Sequence, residues 1–478
     1  MRRPCPLPRP RRYAVLAAGA LLVGCAALPP APVPIADAAP SQWQAALPHG
    51  GTLSDLSRWW QQFDDPLLPA LIDAAEAVSP TLASAQSRLA QARATRVASS
   101  AALLPRLDGS ASVQRGRQDF VTPLGTIASA GLQASWEPDV FGGNRAARNA
   151  AQARLDGAQA AWHDARVSVA AEVAGAHVAL RACEAQRQQA AADSASRDET
   201  ARLTALTAKA GFESPANEAL SRASAAQGRS QLTAQQAACD VQVKALVALT
   251  GIDEPQLRSR LASRTGLLPQ PQQIAVATVP AQALNQRPDL YAAAREVEAA
   301  AADVDNARAQ RLPRLSLGGS VSAARFEAGG LDGSGVLWSI GPLSVTLPLF
   351  DAGSRAANVD AARARYDAAV SAYRGQLRGA VREVEEALVQ LQSAGLRNDD
   401  AAVAAQGFEA FYRAVDARHR GGLASLFELE DARRNAVQAQ RTLLDLQREQ
   451  VAAWLTLYRA LGGGWRADML QTAASAPP

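Results

Sequence analysis

The side chains that most often carry chemistry are sparse in this sequence. Its histidines are His49, His163, His177 and His419. No two of them have the spacing of metal ligands, and the sequence has neither a glycine-rich phosphate loop nor a nucleophile elbow. Acid pairs such as Glu383 and Glu386 lie on predicted helix faces, where we expect them to be solvated. The sequence therefore predicts no enzyme, no cofactor and no metal site.

Two cysteines form a more specific pair. Cys183 and Cys239 are equidistant from Gly211, since 211 − 183 = 28 and 239 − 211 = 28. In an antiparallel helical hairpin that turns at Gly211, the two cysteines would lie level with each other. A disulfide needs Cα atoms within about 7 Å, and packed helix axes lie about 8–10 Å apart. A disulfide, which an oxidising compartment allows, and two free thiols both remain open.

The N-terminus has the order of a secretory signal. A basic segment is followed by an apolar run that ends at residue 23 and is too short to cross a membrane as a helix. Residues 22–25, Leu-Val-Gly-Cys, resemble the lipobox of bacterial lipoproteins, in which the cysteine is lipidated and becomes the first mature residue. A chance cysteine near an ordinary cleavage site is the alternative. We expect residues 1–24 to be removed and Cys25 to anchor a Pro/Ala-rich tether over 25–63.

The overall charge carries little information about partners. The net charge of +4 includes five arginines of the removable leader, so the mature value is 4 − 5 = −1. We therefore expect no nucleic-acid partner, and the scattered basic residues are typical of solvated helix faces. Ala26 follows the lipobox in place of the aspartate that retains such lipoproteins in the inner membrane, which implies the outer membrane.

Two very long helices dominate the chain. Residues 144–209 and 354–420 contain no proline, and the first would be about 100 Å long at 1.5 Å per residue. Its apolar residues recur every seven positions, as in a coiled coil. Glycines then turn each long helix into a partner, over 215–250 and 425–461. Each pair predicts an antiparallel helical hairpin.

The chain is an internal duplication. Gly211 and Gly422, like Leu246 and Leu457, differ by 211 positions. Four strand-like segments precede the long helices, over 107–117, 128–136, 315–326 and 336–347. The predicted organisation is a first repeat at 64–251, a linker at 252–283, a second repeat at 284–464 and a tail at 465–478.

Four strands are too few to cross a membrane alone. A secreted chain without a long apolar helix can cross the outer membrane only as a closed β-barrel, and the smallest such barrels have about eight strands. Three chains would supply twelve strands above a tube of long helices. The alternative is a structural lipoprotein, in which a small soluble sheet caps a coiled-coil stalk.

Several motifs together resemble TolC-type outer-membrane efflux proteins. They are the duplicated strand–strand–helix–helix unit, Arg-Pro-Asp-Leu at 287–290, the Phe350-Asp351-x-Gly353 hinge and the lipobox. The match covers nearly the whole mature chain, and it points to the lipidated branch that serves resistance-nodulation-division pumps. It implies a mainly α fold with a small β part. It also implies a homotrimer in which a 12-stranded transmembrane β-barrel continues into a long periplasmic α-helical barrel.

The same resemblance implies a function and partners. Such a trimer is a passive exit duct for drugs or other small toxic compounds. Its periplasmic end meets a membrane-fusion adaptor and, through it, an inner-membrane pump. A channel for type I protein secretion remains the alternative.

The second hairpin tip holds the candidate gate. Glu428 and Asp431 share one helix face, whereas the matched positions of the first tip are Asn217 and Leu220. The pair resembles the family's pore-constriction motif of two aspartates, with glutamate at the first position and Glu430 in place of an apolar residue. The resemblance implies a cation-favouring ring of six carboxylates in a trimer. A solvated first-turn pair favoured by the helix dipole is the alternative. The tip residues that would contact the adaptor are Gly211, Gly421 and Gly422.

Overall fold

The computed structural model describes residues 39–47, 56, 59–117, 124–270 and 280–466. The predicted leader and the lipidation site Cys25 lie outside these residues. The helices are α1 (Leu67–Val78), α2 (Pro80–Ala101), α3 (Gly143–Lys209), α4 (Pro215–Thr250), α5 (Glu254–Leu261), α6 (Pro280–Leu284), α7 (Pro288–Ala309), α8 (Ser354–Arg420) and α9 (Leu426–Ala460). The strands are β1 (Arg106–Gly116), β2 (Gly125–Trp136), β3 (Arg314–Ala328) and β4 (Leu331–Thr346).

The four strands form one antiparallel sheet in the order β1-β2-β3-β4. β4 begins at Leu331 and not at 336, because the glycine-rich stretch before 336 pairs with β3 as far as Ala328. β4 ends at Thr346, before Pro348 and a hinge. In that hinge Asp351 accepts hydrogen bonds from the backbone N–H groups of Gly353 and Arg355 at 3.0 and 3.1 Å. The hinge carboxylate therefore caps the start of α8.

The long helices form two hairpins side by side. α3 packs on α4 to make the first hairpin, and α8 packs on α9 to make the second. α9 also packs on α3, so the helices run in the order α4-α3-α9-α8 and leave α4 and α8 at the edges. Nearer the sheet, α2 and α7 pack on α3. No helix within the described ranges is both long and apolar enough to cross a membrane.

The main core lies where the hairpins meet α1 and the N-terminal segment. Trp59 stacks on Tyr458 with ring centroids 4.9 Å apart, and the indole N–H of Trp60 donates to the Tyr458 hydroxyl at 3.1 Å. Burial in this cluster raises the pKa of Tyr458 to about 12. Large aromatic rings such as these bury much apolar surface in the main core.

The described part of the predicted tether is docked on the second hairpin. Trp43 is buried, and Glu385 of α8 accepts hydrogen bonds from the backbone N–H groups of Gln44 and Ala45 at 2.7 and 2.8 Å. Charge-assisted bonds to backbone donors of this length are strong. These bonds hold the segment against the middle of α8.

Two local features lie outside the long hairpins. The predicted linker at 252–283 contains the helix α5, whose Leu257 and Leu261 are buried in the main core. Asp65 lies two residues before the first residue of α1, and its carboxylate accepts from the backbone N–H of Leu67 at 3.0 Å.

Candidate functional site

The two hairpin tips have the same backbone geometry. Gly211 and Gly422 both have positive φ, at 80° and 73°, which a residue with a Cβ rarely adopts. The N–H of Phe212 bonds to the carbonyl of Thr207 at 2.9 Å, and the N–H of Leu423 bonds to that of Arg418 at 2.8 Å. Each long helix therefore ends in the same glycine-dependent turn. Both turns present an exposed apolar side chain, Phe212 or Leu423.

The candidate gate acids occupy the first turns of α9. Glu428 forms a capping box with Ser425: the Ser425 N–H donates to the carboxylate at 2.7 Å, and the Glu428 N–H donates to the Ser425 hydroxyl at 3.1 Å. The backbone hydrogen bond from Ser425 lowers the pKa of Glu428. Asp431 pairs with Arg434 at 2.8 Å, and its side chain is half exposed. The local geometry suits both the pore ring and the solvated first-turn pair.

The intervening acid, Glu430, has a different environment. Its side chain accepts a 2.6 Å hydrogen bond from the hydroxyl of Ser224 on α4 and lies 3.5 Å from the guanidinium of Arg197 on α3. It also pairs with Arg433, one turn further along α9. Glu430 therefore ties the second hairpin to the first and is not available to a ring with Glu428.

Arg433 completes this contact between the hairpins. Its side chain is 2% exposed and donates to the hydroxyls of Thr200 and Ser196 on α3, at 2.9 and 3.2 Å. Its guanidinium lies over the ring of Tyr412 on α8, 5.7 Å from the centroid. We call this set the four-helix polar cluster: Ser196, Arg197, Thr200, Ser224, Tyr412, Glu430 and Arg433. The sequence analysis did not identify it, because its members are up to 237 positions apart.

The sheet has two chemically different faces. Residues that are neighbours across the strands on one face are large, apolar and exposed, for example Leu132, Val321 and Trp338. The opposite face carries pairs of serines whose hydroxyls bond to each other across the strands. The pairs are Ser112 with Ser129, Ser320 with Ser339 and Ser316 with Ser344, at 3.0, 2.9 and 2.6 Å. One face thus suits lipid and the other suits water.

The edge helices of the row carry an unpartnered apolar stripe. Val389, Leu396 and Val403 on α8 are exposed and spaced by seven residues. On α4, at the other edge, Leu220 and Val241 are exposed, with Gln227 and Ala234 at the heptad positions between them. Repeats of seven are typical of helices that pack along a shared seam. These edges are therefore suited to helix packing between copies of the chain.

Cys183 and Cys239 are joined by a disulfide, with their Cα atoms 5.5 Å apart. The bond links α3 to α4, and both residues are buried. Facing Cα atoms lie about 2.3 Å from their helix axes, so this Cα–Cα distance is consistent with ordinary packing of axes about 8–10 Å apart. Within the described residues, no group of three His, Cys, Asp or Glu side chains is placed to hold a metal ion.

The motif at 287–290 is structural. Arg287 is buried and donates to Asp289 at 2.7 Å, to Glu383 at 2.8 Å and to the carbonyl of Ala460 at 2.9 Å. The expectation that Glu383 is only solvated was therefore wrong. Arg287 joins the start of α7, the middle of α8 and the end of α9 in one set of charge-assisted bonds.

Comparison with known proteins gives consistent matches over most of the chain. The family model described as "Outer membrane efflux protein" matches residues 71–252 and 279–463. The toluene efflux pump outer membrane protein TtgI of Pseudomonas putida is 29% identical over 462 residues, covering 93% of this chain and 96% of TtgI. The outer membrane protein OprJ of Pseudomonas aeruginosa is 32% identical over 470 residues, covering 93% of this chain and 94% of OprJ.

Solved structures give the same result. The outer-membrane channel OprN superposes with a TM-score of 0.78 at 28% identity, covering 92% of this chain and 98% of OprN. The open-state MtrE outer membrane channel of Neisseria gonorrhoeae superposes with a TM-score of 0.79 at 25% identity, covering 93% of this chain and 99% of MtrE.

Proposed function

This chain belongs to the outer membrane efflux protein family and is an efflux channel of the outer membrane, and from that premise we propose that three copies of it join into one continuous duct. The observation that supports the trimer best is the open sheet. β1 and β4 are 11 and 16 residues long, and each has only one neighbour among the described strands. Long open strand edges in lipid are unfavourable, because their backbone groups lack partners. Twelve strands from three chains remove every edge.

The two faces of the sheet set the orientation of the proposed barrel. The face with Leu132, Val321 and Trp338 contacts lipid, and the face with the serine pairs lines the lumen. Below the membrane, α8 of one copy packs along α4 of the next. The contact joins the exposed apolar residues of α8 to those of α4, which are Val389, Leu396 and Val403 on α8 and Leu220 and Val241 on α4. The acyl chains on Cys25 add a second attachment to the outer membrane.

The tips form the periplasmic entrance in this proposal. Glu428 and Asp431 of three copies surround the opening, and the four-helix polar cluster holds the two hairpins of each copy together beside it. The turns at Gly211, Gly421 and Gly422 meet a periplasmic membrane-fusion adaptor, which couples the duct to an inner-membrane resistance-nodulation-division pump. TtgI is named as part of a toluene efflux pump, and we infer that small toxic compounds are also the cargo here.

A substitution on the proposed seam tests the trimer. Leu396→Asp places a charge on the exposed stripe of α8, where it would be buried without a partner in the trimer. We expect the purified protein in mild detergent to lose its heat-sensitive trimer band and its single-channel conductance in planar bilayers. Leu267→Asp is the matched control, because Leu267 is similarly exposed but lies in the loop after α5. Trimers and conductance that survive Leu396→Asp unchanged would remove α8 from the interface.

A further inference from the structure

The two hairpins are held together by different means near their tips. In the second hairpin, four buried apolar residues bridge α8 and α9 beside the turn. They are Val415, Leu426, Leu429 and Ala432. Subtracting the repeat offset of 211 gives the matched residues of the first hairpin, which are Thr204, Pro215, Glu218 and Ser221. The first hairpin has therefore lost the apolar tip cluster of its sister.

The polar replacements do not restore the link between the helices. Thr204 and Ser221 are buried, but each hydroxyl donates to a carbonyl of its own helix, at Thr200 and Glu218, at 2.8 and 3.0 Å. In this part Arg197 donates to Ser224 at 2.9 Å, Gln235 donates to Gln186 at 3.1 Å, and an exposed ion pair joins Arg229 to Asp198. Exposed ion pairs contribute little, about 0–1 kcal/mol. The tip half of this hairpin is therefore joined by polar bonds and small residues, without a cluster of large apolar side chains among its described residues.

The disulfide lies where strong packing ends. On the side away from the tip, Val243 and Leu246 of α4 belong to the main apolar core. Cys183 and Cys239 are the last members of that core on α3 and α4 in the direction of the tip. The sister positions, 183 + 211 = 394 and 239 + 211 = 450, are Ala394 and Gln450, so the second hairpin has no such bond. The first hairpin therefore has the disulfide, and the second hairpin has the apolar tip cluster.

We propose that the Cys183–Cys239 disulfide takes the place of the missing apolar tip cluster and keeps α3 and α4 from separating. The bond joins residues with a sequence separation of 56 across the tip, and such closure restricts the open states of the segment between them. This inference rests on the proposed duct. In that duct α3 and α4 must stay packed together, because the tip of the first hairpin contacts the adaptor and bonds to the second hairpin through Ser224 and Glu430.

Hydrogen exchange on the purified full-length trimer tests the proposal. The double variant Cys183→Ser/Cys239→Ser should show amide exchange in 184–238 at least about tenfold faster than the parent, because opening of this segment no longer meets the cross-link. The matched segment 395–449 of the second hairpin is the internal control and should be unchanged. Unchanged exchange in 184–238 would overturn the proposal, as would two titratable thiols in the denatured, unreduced parent.

A reductant and a rescue variant separate the disulfide from other effects. Dithiothreitol should raise exchange in the parent only: it becomes a cyclic disulfide, while the two cysteine sulfurs each gain one electron and one proton. Adding Thr204→Val and Ser221→Ala to the double variant copies the apolar sister residues Val415 and Ala432. This addition should slow exchange again by at least about threefold. If the two added substitutions did not slow hydrogen exchange, the disulfide would not be a substitute for the apolar tip cluster, and the proposal would be contradicted.

The proposed duct is checked separately on the same samples. Heat-sensitive trimers and conductance should persist in the double variant, because the disulfide lies within one chain. Loss of the exchange effect with conductance intact would reject the role of the disulfide and leave the duct. Absence of trimers in the parent itself would reject the duct.

Discussion

Ser224 on α4 donates a 2.6 Å hydrogen bond to Glu430 on α9, which makes a direct link between the two hairpins of one chain. Arg433 stands beside this link with its side chain 2% exposed. Removal of one member of a buried ion pair leaves the other uncompensated and costs about 3–5 kcal/mol. The contact between the hairpins therefore depends strongly on Arg433.

We expect Arg433→Met to loosen the tips. The variant keeps the length of the side chain but removes the partner of Glu430 and the bonds to Ser196 and Thr200. Single-channel recordings should show a larger or more frequently open conductance, and the heat stability of the trimer should fall. Arg441→Met, two turns further along α9 and exposed, is the control for charge and should leave both the conductance and the heat stability unchanged. Equal effects of the two variants would mean that burial of Arg433 is unimportant.

Neutralising the gate acids should remove ion selectivity. In Glu428→Gln/Asp431→Asn, the six proposed carboxylates are lost, so cation preference and block by trivalent cations from the periplasmic side should both disappear. Reversal potentials in a salt gradient measure the preference. Glu213→Gln at the sister tip is the control and should behave as the parent. A double variant with the parent's selectivity and block would show that these acids do not line the pore.

Asp65 gives a pH-dependent stability. Burial raises the pKa of this carboxyl, but the hydrogen bond and charge of His177, 2.8 Å away, and the N–H of Leu67 lower it further, so the net pKa is below the ordinary 3.8. A lowered pKa contributes stability above about pH 4 that is lost as the pH falls through the folded-state value. Asp65→Asn should cost about 3 kcal/mol at pH 7.

The pH dependence of that cost distinguishes charge from shape. The difference between Asp65→Asn and the parent should shrink as the pH falls from 3.8, the ordinary pKa of the unfolded chain, through the lower pKa of the folded carboxyl. Thermal unfolding followed by circular dichroism at pH 7 and pH 3 measures it. Asp64→Asn, at the exposed neighbouring residue, should change stability by less than about 0.5 kcal/mol. A cost that is constant with pH would show that the charge of Asp65 is irrelevant.

Gly462 should not tolerate a side chain. Its φ is 78°, and a Cβ there would lie 2.1 Å from the carbonyl oxygen of Gln286. Since the backbone itself would have to move, we expect Gly462→Ala to destabilise the protein by at least about 1–3 kcal/mol. Gly175→Ala is the opposite control: this helical glycine has open space, and alanine should stabilise by about 0.5–1 kcal/mol. Thermal unfolding of both variants checks the pair.

Cys25→Ser tests the lipid anchor. The change should abolish acyl labelling, but the protein should still reach the outer membrane in part, since the proposed barrel also holds it there. Membrane fractionation after radiolabelled palmitate measures both effects. Normal labelling of the variant would place the anchor on another residue.

The positions of the long elements could be predicted from local chemistry. The predicted helix at 144–209 is observed as Gly143–Lys209, and the predicted helix at 354–420 has those bounds. Glycine turns and capping serines fix such ends within a residue or two of chain, so no tertiary information is needed. The sequence analysis did not identify the helix α5 within the predicted linker, although Pro255 lies in its first turn, where proline is favoured.

The polar contacts between the hairpins could not be predicted in this way. Tyr412, Ser196 and Arg433 are ordinary helix residues in sequence, and only the packing of α9 on α3 brings them together. The level position of Cys183 and Cys239 was predictable, because it follows from counting along two helices from one turn. Which charged residue becomes buried depends on the rotation of each helix, and a repeat pattern leaves that rotation open.

The serine pairs on the sheet have a consequence for traffic through the membrane. In each pair one hydroxyl donates to the other, for example between Ser320 and Ser339 at 2.9 Å, so part of the hydrogen-bonding capacity of the proposed wall is already used. Such a surface binds passing solutes weakly and selects little among them. The membrane section of the proposed duct would then select solutes mainly by the diameter of its pore. Recognition of cargo would be left to components upstream of the duct.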